Sequence, residues 1–395
     1  MYGCTAAVHP YLLEPAVPLP LVPTLLSTLA SVAWLVVTVP GAHPAGAVGP
    51  TGALFRTGHA AGGGWLVTVA PGVDPLVAAA RLHVSPTRTW ATGFVTDDRL
   101  PRGIGEPDTT RWIGSTQLRA PWNLDRIDQR RLPLDGRYTW SGDGTGVTAY
   151  VVDTGARLTS RDLAGRVVTG IDEVDGGPAS DCNGHGTHVS GTLGGVRSGV
   201  AKRVRLVEVR VLDCHGSGST SRVLAGLDWV LRHHVRPAVL NLSLGGEPSA
   251  ALDAEVRALV ADGVVVVAAA GNGDADGQAL DACSTSPART RVAITVSATD
   301  RTDAKPEWAN TGTCVDLFAP GVGVTSDWDT TDTATRTLSG TSMASPAVAG
   351  AAAVWLGRHP SATPAQVRAA LVRSATPGVV RGHGSAPDRL LHTGG

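Results

Sequence analysis

Val147-Thr148-Ala149-Tyr150-Val151-Val152-Asp153-Thr154-Gly155 is a β-rich run that ends in a carboxylate and a glycine turn. Similar short runs recur at residues 204–211, 238–243, 264–270 and 292–297, with helical stretches such as 220–233 and 249–261 between them. Sustained alternation of this kind predicts βαβ units, hence an α/β fold with a mostly parallel central sheet and helices on both faces. Val264-Val265-Val266-Val267 shows no polar alternation, which suits a central strand covered on both sides. In open parallel sheets, ligand sites collect at the carboxyl ends of strands, so Asp153 stands where function usually sits. An Asp at a strand end is also an ordinary turn or cap residue, so this run alone does not decide the chemistry.

Composition narrows the choice. The chain has 395 residues, 43% of them apolar and 17% charged, enough for a sizeable core and too apolar for wholesale disorder. The 49 Gly and 26 Pro follow no period, which excludes collagen. Lys plus Arg is 33 against 34 Asp plus Glu, and no basic stripe stands out, so the sequence gives no sign of nucleic-acid binding. Lys occurs only at Lys202 and Lys305. Five cysteines stand at Cys4, Cys182, Cys214, Cys283 and Cys314, without a CxxC pair, which speaks against a zinc ribbon or a thioredoxin-like centre. The last four form two widely spaced couples, a pattern that suits disulfides in an oxidising compartment. Four cysteines allow three pairings, and spacing does not choose among them.

Residues 15–55 contain no Asp, Glu, Lys or Arg, and the apolar stretch 24–39 has the length of a signal-peptide core. Ala45-Gly46-Ala47 then offers a cleavage pattern, so residues 1–47 read as a leader and the product as secreted. The segment departs from that pattern in having no Lys or Arg in residues 1–23. A membrane anchor fits less well, because Pro18, Pro20 and Pro23 leave too short a clean helix to span about 30 Å. Residues 64–82 read as strand, turn and helix, and residues 97–121 as a polar, Pro/Gly-rich linker.

Two further segments carry chemistry. In Cys182-Asn183-Gly184-His185-Gly186-Thr187-His188, glycines flank His185 and let backbone approach it. His185 and His188 are three apart, but no H-E-x-x-H arrangement supports a metal, and His188 reads as a packed helix residue. In Ser339-Gly340-Thr341-Ser342-Met343-Ala344-Ser345-Pro346, a serine opens a helix that continues as a dense Ala/Gly/Val run. Such a serine is ordinarily a cap, but it also lies where the helix dipole stabilises developing negative charge. Pro346 is expected within the first turn, where its missing N–H is harmless. Position 344 is Ala, so this is not a G-x-S-x-G elbow.

Taken together, Asp153, His185 and Ser342 in that order, each in a Gly-rich segment, make the chain resemble the subtilisin-like serine proteases, and among them the secreted proteinase K-like branch. The resemblance covers about residues 115–390. It implies a peptidase domain at 115–395, and a propeptide at 48–114 that assists folding and then inhibits. That propeptide is shorter than usual, since about a dozen residues stand where a second strand–helix unit is expected. It implies a triad of Asp153, His185 and Ser342, with Asn272 in Ala268-Ala269-Ala270-Gly271-Asn272 as the oxyanion donor. It implies that Gly216-Ser217-Gly218 and Ser243-Leu244-Gly245 flank an extended peptide, while Ala269 and Gly271 line the main specificity pocket. No acidic residue occurs in these segments, so apolar side chains of small or medium size are the expected preference.

The same resemblance implies the pairings Cys182–Cys214 and Cys283–Cys314. It also implies a calcium site at Asp316 with the carbonyls of Arg291 and Ala293; no cofactor is implied for catalysis. The implied partners are polypeptide substrates and the chain's own propeptide, with no stable membrane association and a monomeric state. A peptide-binding protein without turnover would need a missing catalytic part, and none is missing; an esterase on the same triad is the other alternative.

Overall fold

The computed structural model describes residues 115–394 throughout. It also describes the backbone of four earlier strands, β1 (Trp34–Thr38), β2 (Phe55–His59), β3 (Gly64–Thr68) and β4 (Arg111–Ile113). β3 pairs antiparallel with both β1 and β2, so residues from the stretch read as a leader and from the expected propeptide share one small sheet. The expected strand after Gly64 is present, and the helix expected near residues 74–82 lies outside the described residues.

Next come β5 (Thr116–Leu118), α1 (Trp122–Asp128), β6 (Arg137–Thr139), β7 (Thr148–Asp153), β8 (Val167–Asp172), α2 (His185–Gly194), β9 (Arg205–Arg210) and α3 (Thr220–His233). They are followed by β10 (Ala238–Leu242), α4 (Ala250–Ala261), β11 (Val265–Ala269), β12 (Ile294–Thr299), β13 (Leu317–Pro320), β14 (Val324–Asp327) and β15 (Thr335–Leu338). The chain ends with α5 (Thr341–Arg358), α6 (Pro364–Ser374), β16 (Thr376–Pro377) and β17 (Arg389–Leu390). Nine strands form the main sheet in the order β16-β17-β13-β12-β11-β10-β7-β9-β8, parallel except for the β16–β17 pair.

Alternation along each buried strand builds two cores. Ala149, Val151, Val239, Val265 and Val267 face α1, α2, α5 and α6. Tyr150, Val152, Leu240, Leu242, Val266 and Ala268 face α3 and α4. The period of two explains why β7, β10 and β11 carry no polar face, since each side meets a helix layer. Among the described residues, no helix is long and apolar enough to cross a membrane.

Two expectations need correction. Part of the presumed linker 97–121 forms strands, with β5 between β4 and β6. The cause is tertiary: buried Gln117 donates to Arg197 O at 3.0 Å and accepts from Lys202 Nζ at 2.6 Å. Pro346 is the sixth residue of α5, beyond its first turn. The bond it cannot donate would have ended on the Ser342 carbonyl, which instead accepts from Ser243 Oγ at 2.8 Å. A hydroxyl from a neighbouring loop thus satisfies the acceptor left by the proline.

Candidate active site

β7, β10 and β11 lie side by side and run parallel, so their carboxyl ends open on one edge of the sheet. Asp153 ends β7, Ser243 follows β10, and Asn272 follows β11. Strand order alone therefore gathers these three residues.

His185 is the first residue of α2, and its Nδ1 lies 2.7 Å from Asp153 Oδ1. Both side chains are buried. Asp181, which the sequence reading did not single out, holds this segment. Its Oδ1 accepts from the N–H of Asn183 and Gly184 and from Thr154 Oγ1, each at 2.9 Å. Its Oδ2 accepts from the Thr187 N–H at 2.9 Å and from the Thr187 hydroxyl at 2.5 Å. Thr154 Oγ1 in turn accepts from the Gly186 N–H at 2.8 Å. One carboxylate thereby joins the residue after Asp153 to both sides of His185, and it satisfies N–H groups at the start of α2.

Gly184 must be glycine for two reasons. Its φ is 102°, and a Cβ there would lie 2.3 Å from the Trp328 indole, which packs against the His185 segment. His188 is fully buried, with Nε2 3.0 Å from Val324 O, as a packing residue should be. Burial pushes its imidazole down to about 3, so it is neutral. Burial also pushes the Glu208 carboxyl well up, and its Oε1 accepts from Ser190 Oγ at 2.8 Å. A neutral acid there does not compete with Asp153 for a positive imidazole.

Ser342 is the second residue of α5, and its hydroxyl donates to Ser243 O at 3.1 Å. Below it, Asn241 Nδ2 donates to Ser243 Oγ at 2.9 Å, while Asn241 Oδ1 accepts from Ser345 Oγ at 2.7 Å. This buried network seats the start of α5 on the end of β10. Asn272 Oδ1 accepts from the Thr341 N–H at 2.8 Å and the Thr341 hydroxyl at 2.9 Å, which fixes the amide so that Nδ2 points elsewhere. A Cβ built on Gly340 would stand 3.6 Å from both Asn272 Nδ2 and the Ser342 nitrogen, so the two nitrogens flank the same backbone position. Asn310, also missed in sequence, shapes the turn that carries Asn272. It donates to Ala270 O and accepts from the N–H of Gly273 and Leu280, all within 2.9 Å. Gly271 has φ 102°, and a Cβ there would meet the Asn310 amide at 2.4 Å.

The presumed substrate edges occupy two loops. Gly216, Ser217 and Gly218 form a turn closed by Asp213, with Asp213 N–H to Ser217 O at 2.8 Å and Ser217 N–H to Asp213 Oδ1 at 3.0 Å. Beyond Ser243, Leu244 is buried and Gly246 exchanges backbone bonds with Ser286. Ala269 is buried at the end of β11, beside Gly271. Cys182–Cys214 bridges the His185 segment to the Gly216 loop, and Cys283–Cys314 forms the second disulfide, with Cα separations of 4.9 and 5.3 Å.

The expected calcium ligands behave differently. Asp316 Oδ2 accepts from the Thr295 N–H at 3.0 Å, and Oδ1 accepts from Arg368 Nε at 3.1 Å and from its terminal nitrogen. Burial pushes the Asp316 carboxyl up, and Arg368 pulls it back. The Arg291 side chain donates to Thr313. Among the described residues, no cluster of three or more acidic, His or Cys side chains is positioned to hold a metal. Asp316 as arranged does not offer calcium a free carboxylate, because protein donors engage both of its oxygens.

Comparison with known proteins gives the family. The family model described as the subtilase family matches residues 144–391. The chain is 57% identical over 281 residues to an extracellular serine proteinase of Thermus sp. (strain Rt41A), covering 71% of this chain and 67% of that protein. It is 51% identical over 280 residues to alkaline serine exoprotease A of Vibrio alginolyticus, covering 71% of this chain and about half (51%) of that protein. The crystal structure of a cold adapted subtilisin-like serine proteinase superposes with a TM-score of 0.67 at 48% identity, covering 70% of this chain and 98% of the other. The chain belongs to the subtilase family and is a subtilisin-like serine peptidase.

Proposed function

We propose that the protein is a secreted endopeptidase that cleaves peptide bonds through an acyl-enzyme on Ser342. The observation that carries this reading is the 2.7 Å Asp153–His185 bond at the same sheet edge as Ser342 and the Asn272 turn. A serine hydroxyl is a poor nucleophile at neutral pH and needs a base. In the substrate complex the Ser342 hydroxyl turns from the Ser243 carbonyl, to which it donates here, and gives its proton to His185 Nε2 as Oγ attacks the scissile carbon. Asp153 holds the imidazole by Nδ1 and stabilises its charged form. Asn272 Nδ2 and the Ser342 N–H receive the oxyanion. Collapse returns the proton to the leaving amine, and water repeats the sequence to release the acid.

The peptide lies extended between residues 216–218 and 243–245, with an apolar side chain directed at Ala269 and Gly271. Residues 1–47 act as a leader and 48–114 as a propeptide that occupies the cleft before removal near Ser115. The name of the Thermus relative, an extracellular serine proteinase, supports an extracellular setting.

Purified protein incubated with casein and with a small ester, beside Ser342→Ala, tests the reading. Both activities are expected, and both are lost in the variant. Ester turnover without casein cleavage would favour an esterase, and no turnover of either would favour a peptide-binding protein.

A further inference from the structure

We propose that the Arg368 guanidinium serves as a built-in cation at Asp316, so that this corner of the molecule is stable without calcium. Asp316 stands just before β13, and its side chain is 10% exposed. A carboxylate so withdrawn from water needs a positive partner or several donors. Arg368, on α6, supplies two nitrogens to Oδ1, while Oδ2 is held by the Thr295 N–H. The two residues are 52 apart in sequence, so the pair also ties α6 to the sheet.

The surroundings oppose a divalent ion. Arg291, Arg368 and Arg389 line one cleft with Asp316 as the only acidic residue of its lining. Calcium favours six to eight oxygens with several carboxylates among them, and here it would meet three guanidinium groups for one carboxylate. A planar, permanently charged group that presents two donors to one carboxylate meets the same electrostatic need without desolvating a metal ion. Arg368 is also partly exposed, at 40%, so its far side stays hydrated.

The test is thermal unfolding of the mature protein in excess chelator and in millimolar calcium. Four chains are compared: the parent, Asp316→Asn, Arg368→Ala and Arg368→Ala/Asp316→Asn. The parent and Asp316→Asn are expected to respond equally to calcium, so that ions bound elsewhere cancel. Arg368→Ala, with the guanidinium gone and the carboxylate exposed, is expected to gain a calcium-dependent rise in midpoint of about 5 °C, absent from the double variant. Arg368→Gln should repeat the result if the alanine variant folds poorly. A calcium response in the parent that Asp316→Asn abolishes would overturn the proposal. So would Arg368 variants that gain no response through Asp316. Neither outcome touches the catalytic reading, since casein cleavage by the parent is scored separately.

Discussion

The amino ends of α2 and α5 carry His185 and Ser342, the two side chains proposed to react, and they are finished in opposite ways. At α2, the Asp181 carboxylate consumes the N–H groups of Asn183, Gly184 and Thr187. At α5, no anion is present: the cap is Gly340, the first turn holds no acidic residue, and neutral groups of Asn241, Ser243 and Asn272 do the anchoring. A helix amino end attracts negative charge. At α2 a resident carboxylate meets that demand and the end becomes a rigid mount for His185. At α5 the demand is left open, and on the proposed mechanism it falls to the oxyanion that forms during reaction. On the proposed mechanism, the charge that steadies one helix would compete with the transition state at the other.

The largest effects should come from removing either half of this division of labour. Ser342→Ala is expected to lower casein kcat/KM by about 10⁴-fold or more, leaving only the residual effect of binding and the anion cradle. Asn272→Ala should lower kcat by about 10²–10³-fold with little change in KM, because its amide matters most once charge has formed. The same assay can place charge at the wrong end: Thr341→Asp at the start of α5 should suppress kcat at least as strongly as Asn272→Ala, although it suits the helix dipole.

Asp181→Asn comes next. The amide cannot accept at both oxygens, so the bonds to Thr187 fail and His185 is displaced. A drop in kcat of about 10–100-fold is expected, of the size that a 1 Å misplacement produces, with disulfide formation and unfolding midpoint nearly unchanged. Equal loss of midpoint and activity would mean that Asp181 is only structural.

These distinctions were not equally visible in the sequence. The ends of β7, β10 and β11, the helices at 220–233 and 250–261 and the segments bearing Asp153, His185 and Ser342 were legible because they depend on local pattern: apolar runs, glycine turns and residue order. Asp181 lies one residue before the segment quoted from Cys182 and is legible there as a cap candidate. Asn310 and Asn241 could not, since their partners are reached only when the chain folds. The same holds for Pro346, whose missing bond is replaced by a hydroxyl about a hundred residues away, and for Asp316, whose partner Arg368 lies 52 residues further on.

Smaller effects sharpen the comparison further. Ser243→Ala leaves the Ser342 carbonyl under Pro346 without its hydroxyl donor, and should cost about 1–3 kcal/mol in denaturant unfolding. On α2, His188 is buried and its folded value of about 3 lies below the unfolded value near 6.5. Below about pH 6.5 the unfolded chain takes up a proton that the folded one refuses. Stability therefore falls with pH across that window, by at most about 1.4 kcal/mol per unit, until about pH 3. His188→Gln should flatten this part of the stability curve, while no titrating group on α5 contributes a matching term.

The most direct measurement is stoichiometric labelling of the mature protein with a serine-directed phosphonylating reagent, followed by peptide mapping. One phosphonyl group per chain is expected on Ser342, with labelling nearly abolished in His185→Ala and strongly slowed in Asn272→Ala. A fully folded protein that takes up no label, or takes it on another residue at the same rate with or without His185, would contradict the assignment.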